Sequence, residues 1–235
     1  MTKKYDIGVI GLAVMGQNFV LNIESNGHSV AVYNRTTSKM DGFIEERASD
    51  KEVKPTYSLE ELVNSLSKPR KVMLMVKAGR PVDIVIDNLI PHLDEDDIII
   101  DGGNSHFKDT ERRYKKLKEK GIRYIGTGIS GGEYGALHGP SIMPGGDEDA
   151  YTEVEDIFTD VAAQTEDGPC VTHLGPKSAG HYVKMVHNGI EYGVMALLSE
   201  VYDIMRKVLK MEPENMSKYF RDWNEEHQSY LMEIT

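Results

Sequence analysis

The sequence predicts an α/β fold, a Rossmann-type doubly wound parallel sheet followed by the start of an all-helical domain. Short apolar runs bounded by glycine or proline alternate with segments of helical period, which is typical of parallel strands joined by crossover helices. Segment 178–209 has no proline, and as one helix of roughly 48 Å it is too long for another crossover. We therefore expect two domains, at 1–177 and 178–235.

The apolar runs DIGVI, HSVAVY, KVMLMV, DIIID and IRYIGTGI are predicted strands in chain order. Segments of helical period follow the first four of these strands, at 14–25, 38–47, 81–89 and 109–120. Ser58 and Glu61 have the spacing of a capping box, which predicts a helix start at SLEEL. Pro213 fits the first turn of a last helix, PENMSKYFRDW.

Segment 126–146, GTGISGGEYGALHGPSIMPGG, contains eight glycines and two prolines. This composition predicts no regular helix and a structured loop that lines a site. The alternative is an ordinary surface connection. The run CVTHLG that follows has the composition of a strand.

Composition excludes several functional classes. The chain has 235 residues and a net charge of −11, which opposes a nonspecific hold on nucleic acid. The single cysteine, Cys170, forms no internal bridge and has no partner at metal-ligand spacing, which favours a cytoplasmic protein. The apolar run in MTKKYDIGVIG is too short for the apolar region and cleavage site of a signal peptide, and no later apolar run approaches 18 residues. Neither export nor membrane insertion is expected.

The motif GLAVMG follows the first predicted strand and begins the first predicted helix. Glycine there allows a tight turn and lets a pyrophosphate approach the positive end of the helix. Alanine occupies the middle position, where the dinucleotide fingerprint has glycine, so a simple strand-to-helix turn is the alternative. The candidate residues for coenzyme binding are Gly11, Leu12, Ala13, Val14, Met15 and Gly16.

The second strand ends at Asn34, Arg35 and Thr36, where NAD enzymes place a carboxylate against the ribose 2′-hydroxyl. A carboxylate repels a 2′-phosphate, whereas a guanidinium binds it with two charge-assisted hydrogen bonds. The sequence therefore favours NADP over NAD. The alternative is that Arg35 is an ordinary solvated arginine.

Two later strand ends border the same predicted crevice, because open parallel sheets bind ligands beyond the carboxyl ends of their strands. One carries VKAG, with Val76, Lys77 and Ala78. The other carries DGGNS, with Asn104 facing both nicotinamide and substrate.

A polar stripe with steps of three and four residues follows in the long predicted helix. It comprises Lys184, His187, Asn188, Glu191 and Tyr192. One interpretation is a solvated outer face, since the opposite side of the helix carries an apolar set, Val183, Val186, Ile190 and Val194. The other is a substrate site, in which lysine is a general base if its pKa is lowered and a neutral glutamate donates a proton.

The ordered motifs GLAVMG, NRTTSK, MLMVKAG, DGGN, GISGGE, GPSIMPGG and GHYVKMVHNGIEYG resemble the 6-phosphogluconate dehydrogenase family over essentially the whole chain. The resemblance implies NADP-dependent oxidation of 6-phosphogluconate at C3, loss of CO2 and formation of ribulose 5-phosphate, without a metal. It implies that Lys184 is the base and later the acid, and that Glu191 protonates the enediol.

The resemblance also assigns the sites that hold the two ligands. Domain 1–177 binds NADP through 11–16, 34–36, 76–78 and Asn104, and 178–235 begins a substrate and dimerisation domain. The substrate-binding residues implied are Asn104, Ser130, Gly131, Gly132, His187, Asn188 and Tyr192.

Family members are about twice as long and form homodimers. We therefore expect a truncated chain or a short gene product, with an incomplete phosphate pocket and weak turnover. Tyr134 departs from the family pattern. Two other functions stay open: a related 3-hydroxyacid dehydrogenase, which the HNGIEY segment disfavours, and an NADP-binding fragment that is catalytically incomplete.

Overall fold

We describe the chain from a computed structural model, in which residues 3–235 are described. The chain divides into two compact units, with the boundary after Met185. The strands of the first unit are β1 (Ile7–Ile10), β2 (Val30–Tyr33), β3 (Val53–Thr56), β4 (Lys71–Leu74), β5 (Ile98–Asp101), β6 (Arg123–Ser130), β7 (Ser141–Gly146), β8 (Gln164–Thr165) and β9 (Gly168–Pro169).

The helices complete the chain. They are α1 (Val14–Ser25), α2 (Thr37–Arg47), α3 (Leu59–Ser65), α4 (Arg80–Leu89), α5 (Phe107–Lys118), α6 (Gly132–His138), α7 (Glu148–Thr152), α8 (Glu155–Val161), α9 (Ala179–Lys207), α10 (Pro213–His227) and α11 (Tyr230–Glu233). A short 3-10 turn, Ile90–His92, follows α4. Among residues 3–235, no helix is long and apolar enough to cross a membrane.

Seven strands form one sheet in the order β3-β2-β1-β4-β5-β6-β7. The first six are parallel, and β7 pairs antiparallel with β6. The chain begins near the middle of the sheet, moves to one edge through β2 and β3, and returns through β4 to the other side. This order confirms the predicted doubly wound fold and adds an antiparallel edge.

The core lies on both faces of this sheet. Side chains alternate between the faces of a strand, so Ile98 and Ile100 of β5 join one buried apolar cluster and Ile99 joins the other. The first cluster includes residues of α1 and α8, and the second includes residues of α3, α4 and α5. Because both faces are covered, the central strands are continuously apolar, as the sequence shows.

The prediction that segment 126–146 is a loop without a helix was wrong. The segment contains the end of β6, helix α6 and strand β7. Glycine normally weakens a strand. In β7, however, packing requires glycine at position 145, because a Cβ there would lie 2.2 Å from the backbone nitrogen of Gly180. The start of α9 can approach β7 only because both positions lack a side chain.

Two smaller differences concern strands. The run CVTHLG was predicted to be a strand, but it forms only one isolated bridge, between Ile142 and Val171. Strand β3 was not predicted, because Lys54 and Pro55 interrupt the apolar pattern. Its position at the sheet edge explains why proline is tolerated there, since one side of an edge strand makes no ladder bonds.

The predicted helix boundaries are confirmed in three places. Ser58 Oγ accepts a hydrogen bond from the Glu61 N–H at 3.0 Å, as in a capping box. The long helix α9 ends at Lys207, near the predicted 209, and α10 begins at Pro213. In the second unit, a small cluster of Met205, Met216 and Phe220 packs α9 against α10.

Candidate active site

The turn between β1 and α1 requires glycine at both motif positions. Gly11 has φ +104°, and a Cβ there would lie 2.5 Å from the Met75 carbonyl oxygen. A Cβ at Gly16 would lie 2.0 Å from the Gly11 carbonyl oxygen. Helix α1 then begins without a side-chain cap at its exposed N-cap residue, Ala13. The close backbone approach and the uncapped helix start fit a dinucleotide pyrophosphate.

The end of β2 is tied to this turn by one side chain. Asn34 Oδ1 accepts a hydrogen bond from the Leu12 N–H at 3.1 Å, and Asn34 Nδ2 donates to the Thr36 carbonyl at 2.8 Å. Arg35 between them is exposed. The predicted contact for a ribose 2′-phosphate is thus a solvent-accessible guanidinium beside the glycine turn, with no carboxylate among residues 34–36.

The ends of β4 and β5 adjoin the same turn. A Cβ at Gly11 would lie 2.9 Å from Val76 Cγ1, and a Cβ at Gly103 would lie 3.0 Å from the Val76 carbonyl oxygen. Lys77 and Asn104 are exposed, while Ala78 is half-buried. Residues 11, 76 and 103 are therefore neighbours at the carboxyl edge of the sheet, which is where parallel sheets bind ligands.

A buried carboxylate shapes the loop that carries Asn104. Asp101 is fully buried, and it accepts hydrogen bonds from the Gly103 N–H at 3.1 Å and from Ser105 Oγ at 2.7 Å. Tyr124 donates to the same carboxylate at 2.9 Å. Burial raises the pKa of Tyr124 well above its usual value, with the Asp101 charge acting in the same direction, so Tyr124 remains a donor. These bonds hold the loop while Asn104 stays exposed.

The predicted substrate loop begins where β6 ends. Ser130 is half-buried as the last strand residue, and Gly131 and Gly132 are exposed at the start of α6. Asn18 Nδ2 donates to the Glu133 carbonyl at 2.8 Å, which ties α6 to α1. The loop is thus joined to the helix that begins at the glycine turn.

Lys184 is only 6% exposed, although it belongs to a polar stripe. A Cβ at Gly128 of β6 would lie 2.4 Å from Lys184 Cβ, so the stem of the lysine lies directly on the sheet. One turn earlier, a Cβ at Gly180 would lie 2.2 Å from the Met143 carbonyl oxygen and 2.3 Å from the Gly126 carbonyl oxygen. Glycines of the sheet and the helix therefore determine where Lys184 is placed.

His181 anchors the same part of α9. It is 1% exposed, and its Nδ1 pairs with Thr110 Oγ1 at 2.7 Å. Burial lowers the pKa of His181, and the Asp101 carboxylate opposes this shift only in part. The imidazole is therefore neutral at physiological pH, and it holds the turn that precedes Lys184 against α5.

The remaining stripe residues belong to the second unit. His187 Nδ1 lies 3.1 Å from Glu191 Oε2, at ion-pair distance but outside hydrogen-bond geometry. Their side chains are 35% and 40% exposed, Asn188 is half-buried, and Tyr192 is 72% exposed. Helix α9 is continuous from Ala179 to Lys207 and carries all five residues of the stripe.

Sequence reasoning missed Thr110, Arg113 and His181. Segment 109–120 was predicted to be a helix without a buried face, yet the buried residues of α5 are Thr110, Arg113, Tyr114 and Leu117. Their spacing of three, four and seven residues is the period of a buried helix face, and this was the available signal. Within residues 3–235, no group of three or more His, Cys, Asp or Glu side chains could hold a metal ion.

Comparison with known proteins supports one family. A family model described as the NAD binding domain of 6-phosphogluconate dehydrogenase matches residues 6–175, and one described as the 6-phosphogluconate dehydrogenase C-terminal domain matches 180–235. The NADP(+)-dependent, decarboxylating 6-phosphogluconate dehydrogenase of Bacillus subtilis (strain 168) is 57% identical over 99% of this chain and 50% of its own length. The decarboxylating enzyme of Staphylococcus aureus (strain Mu50 / ATCC 700699) is 57% identical over 97% of this chain and 49% of its own.

A solved structure agrees. The 6-phosphogluconate dehydrogenase of Plasmodium falciparum, described in its apo form, with its cofactor NADP+ and with its substrate 6-phosphogluconate, superposes with a TM-score of 0.93. It is 51% identical over 97% of this chain and 50% of that chain. The present chain spans about half the length of the curated relatives it matches. The chain belongs to the 6-phosphogluconate dehydrogenase family.

Proposed function

We propose that this chain carries out NADP-dependent oxidative decarboxylation of 6-phosphogluconate to ribulose 5-phosphate, CO2 and NADPH. The observation that carries the proposal is the burial of Lys184 on Gly128 of β6, in a unit that also contains the glycine turn between β1 and α1. The relatives named above are decarboxylating 6-phosphogluconate dehydrogenases, and the Plasmodium falciparum enzyme is described with both ligands.

The coenzyme fits the residues at the carboxyl edge of the sheet. The turn at 11–16 holds the pyrophosphate at the start of α1, and residues 34–36 bind the adenosine ribose with its 2′-phosphate. Residues 76–78 and Asn104 border the nicotinamide. When bound, NADP+ supplies the hydride acceptor for the hydrogen on substrate C3.

Lys184 performs the proton transfers of the oxidation. As the neutral amine it takes the proton of the C3 hydroxyl while the C3 hydride leaves the carbon, which gives a ketone and an ammonium. The ammonium then donates to the ketone oxygen as the C1 carboxylate leaves as CO2, so the electron pair of the broken C–C bond forms an enediol. General acid–base catalysis of this kind contributes roughly 10²- to 10⁴-fold.

Glu191 completes the reaction by protonating the enediol carbon that was C2 of the substrate and becomes C1 of the product, ribulose 5-phosphate. This role requires a carboxyl group that is protonated when the enediol forms. Asn104, Ser130, Gly131 and Gly132 hold the sugar acid on one side. On α9 the substrate is held by His187, Asn188 and Tyr192, with Tyr192 near the phosphate.

The remaining assignments follow from the same proposal. We assign 1–177 to NADP binding and 178–235 to the first helices of a substrate and dimerisation domain. The protein is then a cytoplasmic enzyme of the pentose phosphate pathway, used in gluconate metabolism, and it acts as a homodimer.

The test begins with calorimetry of NADP binding to the chain, and continues with NADPH absorbance in the presence of 6-phosphogluconate. A chimera that joins this chain to the remaining half of the Bacillus subtilis relative supplies the part of that relative which this chain does not span. We expect binding by the chain and turnover by the chimera. Turnover with a smaller 3-hydroxy acid but not with 6-phosphogluconate would assign a different substrate. NADP binding without any turnover in the chimera would leave only a nucleotide-binding module.

A further inference from the structure

Arg113 is one of the largest fully buried side chains of the protein. It lies in the middle of α5, is 1% exposed, and belongs to none of the residues assigned above to coenzyme or substrate. A buried guanidinium loses its hydration, and this cost is recovered only when every N–H finds a well-placed acceptor. Arg113 therefore requires an explanation beyond the packing of α5.

The guanidinium contacts both loops that border the nicotinamide in the proposed function. Its Nη2 donates to the Gly79 carbonyl at 2.9 Å, directly after residues 76–78. Its Nη1 donates to Ser105 Oγ at 3.1 Å and to Asp101 Oδ2 at 3.3 Å, on either side of Asn104. One side chain thus fixes the end of the β4 loop and both ends of the β5 loop.

Two carboxylates hold the guanidinium in this orientation. Asp83 Oδ1 accepts from Nε at 2.9 Å, and Asp101 is buried on the other side. Burial alone would lower the pKa of Arg113, but Asp83, Tyr124 and Asp101 outweigh it and raise the pKa, so the group is permanently charged. The donors diverge in a plane, as only a guanidinium allows, because a lysine ammonium is a compact point charge.

We propose that Arg113 is a positioning residue that sets the distance between the 76–79 loop and the Asn104 loop, and so determines affinity for the nicotinamide half of the coenzyme. The inference rests on the proposed function. It predicts a selective effect: the nicotinamide half depends on Arg113, whereas the adenosine half, held at the end of β2, does not.

The neighbouring residue provides a matched control. Arg112 is bonded to the same Asp83 at 3.0 Å, but its side chain is 53% exposed, and its other bond is to Asp109 on the same helix. Arg112→Lys therefore perturbs the Asp83 pair without touching either loop. Arg113→Lys keeps the buried positive charge and loses the planar set of guanidinium N–H donors.

The experiment is calorimetric titration of the wild-type chain, Arg113→Lys and Arg112→Lys with NADP and separately with adenosine 2′,5′-bisphosphate, which represents the adenosine half. We expect Arg113→Lys to weaken NADP binding at least tenfold while binding of the bisphosphate changes less than twofold. Arg112→Lys should change neither by more than twofold. Circular dichroism confirms that each variant is folded.

Three results would overturn the inference. These are unchanged NADP affinity in Arg113→Lys, an equal loss for both ligands, and an equal loss in Arg112→Lys. If Arg113→Lys does not fold, Ser105→Ala replaces it, because it removes one of the same contacts; a selective loss of NADP affinity supports the inference, and no selective loss overturns it. A wild-type chain that binds neither ligand would refute the proposed function itself, which separates the two failures.

Discussion

The two ends of the polar stripe on α9 are held in different ways. Lys184 lies at the end of the first unit, buried against Gly128, with His181 anchored one turn earlier. In the second unit, the Glu191 side chain is 40% exposed and lies at ion-pair distance from His187 on the same helix, and Tyr192 is 72% exposed. Packing against β6 thus places the proposed base, whereas the proposed acid is paired with a residue of its own helix.

Substitution of the base and the acid gives the largest expected effect. In the chimera, Lys184→Met should reduce 6-phosphogluconate-dependent NADPH formation by roughly 10³-fold or more, because the general base is lost. Glu191→Gln should lose about 10²-fold, since solvent can in part replace a partly exposed acid. NADP affinity, measured by calorimetry, should stay within about twofold in both. Equal losses in turnover would remove the distinction between a buried and an exposed partner.

Glycine substitutions in the same helix test the packing directly. Gly180→Ala should destabilise the chain by about 3 kcal/mol, because its Cβ would lie 2.2 Å from a backbone carbonyl that cannot move freely. Gly189→Ala should be neutral or stabilise by up to about 1 kcal/mol, since nothing in the described part of the chain lies within 4 Å of its Cβ. Urea unfolding monitored by circular dichroism measures both. A stable Gly180→Ala would show that the helix start is not tightly seated.

Ion pairs in the two units differ in burial in the same way as the two ends of the stripe. Burial alone would raise the pKa of Asp83, but the bonds from Arg113 and Arg112 lower it to about 2 from the ordinary 3.8. A carboxyl with a depressed pKa stabilises the fold above its unfolded pKa, and this contribution is lost as the pH falls through about 2. Asp83→Asn should therefore cost roughly 2 kcal/mol at pH 7, and the difference should disappear towards pH 2.

The control for Asp83 is the exposed pair on α9 in the second unit. Asp203 and Lys207 are i,i+4 partners with side chains 51% and 70% exposed. Asp203→Asn should change stability by less than about 0.5 kcal/mol at any pH. Unfolding curves at pH 7, 4 and 2.5 decide the matter, and a larger effect at Asp203 than at Asp83 would reverse the comparison.

The smallest expected effect concerns an exposed residue of the first unit. Arg35→Ala should weaken NADP binding about tenfold, through the loss of charge-assisted hydrogen bonds to the 2′-phosphate. Binding of NAD, which has no such phosphate, should change less than twofold and serves as the internal control. Equal losses for the two coenzymes in calorimetry would remove the argument for NADP specificity from this residue.

The sequence by itself determined the architecture and the glycine turn between β1 and α1. Apolar runs between helical segments predicted the strands from β1 to β6 except β3, because burial of both sheet faces leaves a continuous apolar run. Gly11 and Gly16 were recognisable because a tight strand-to-helix turn excludes side chains at fixed spacing. The length of α9 and the start of α10 followed from the positions of proline.

Tertiary structure alone decided the meaning of the glycines in 126–146 and the burial of Arg113 and Lys184. A glycine-rich sequence is compatible with a loop or with close backbone packing. The contacts of α9 with β6 and β7 show that these glycines allow close packing. A charged residue in a polar helix is normally solvated. The burial of Arg113 is explained by its bonds to Asp83, Asp101 and the Gly79 carbonyl, which belong to other elements of the chain. The local pattern of apolar and polar residues predicts helices and strands. The partner that a side chain contacts depends on how segments distant in sequence pack together.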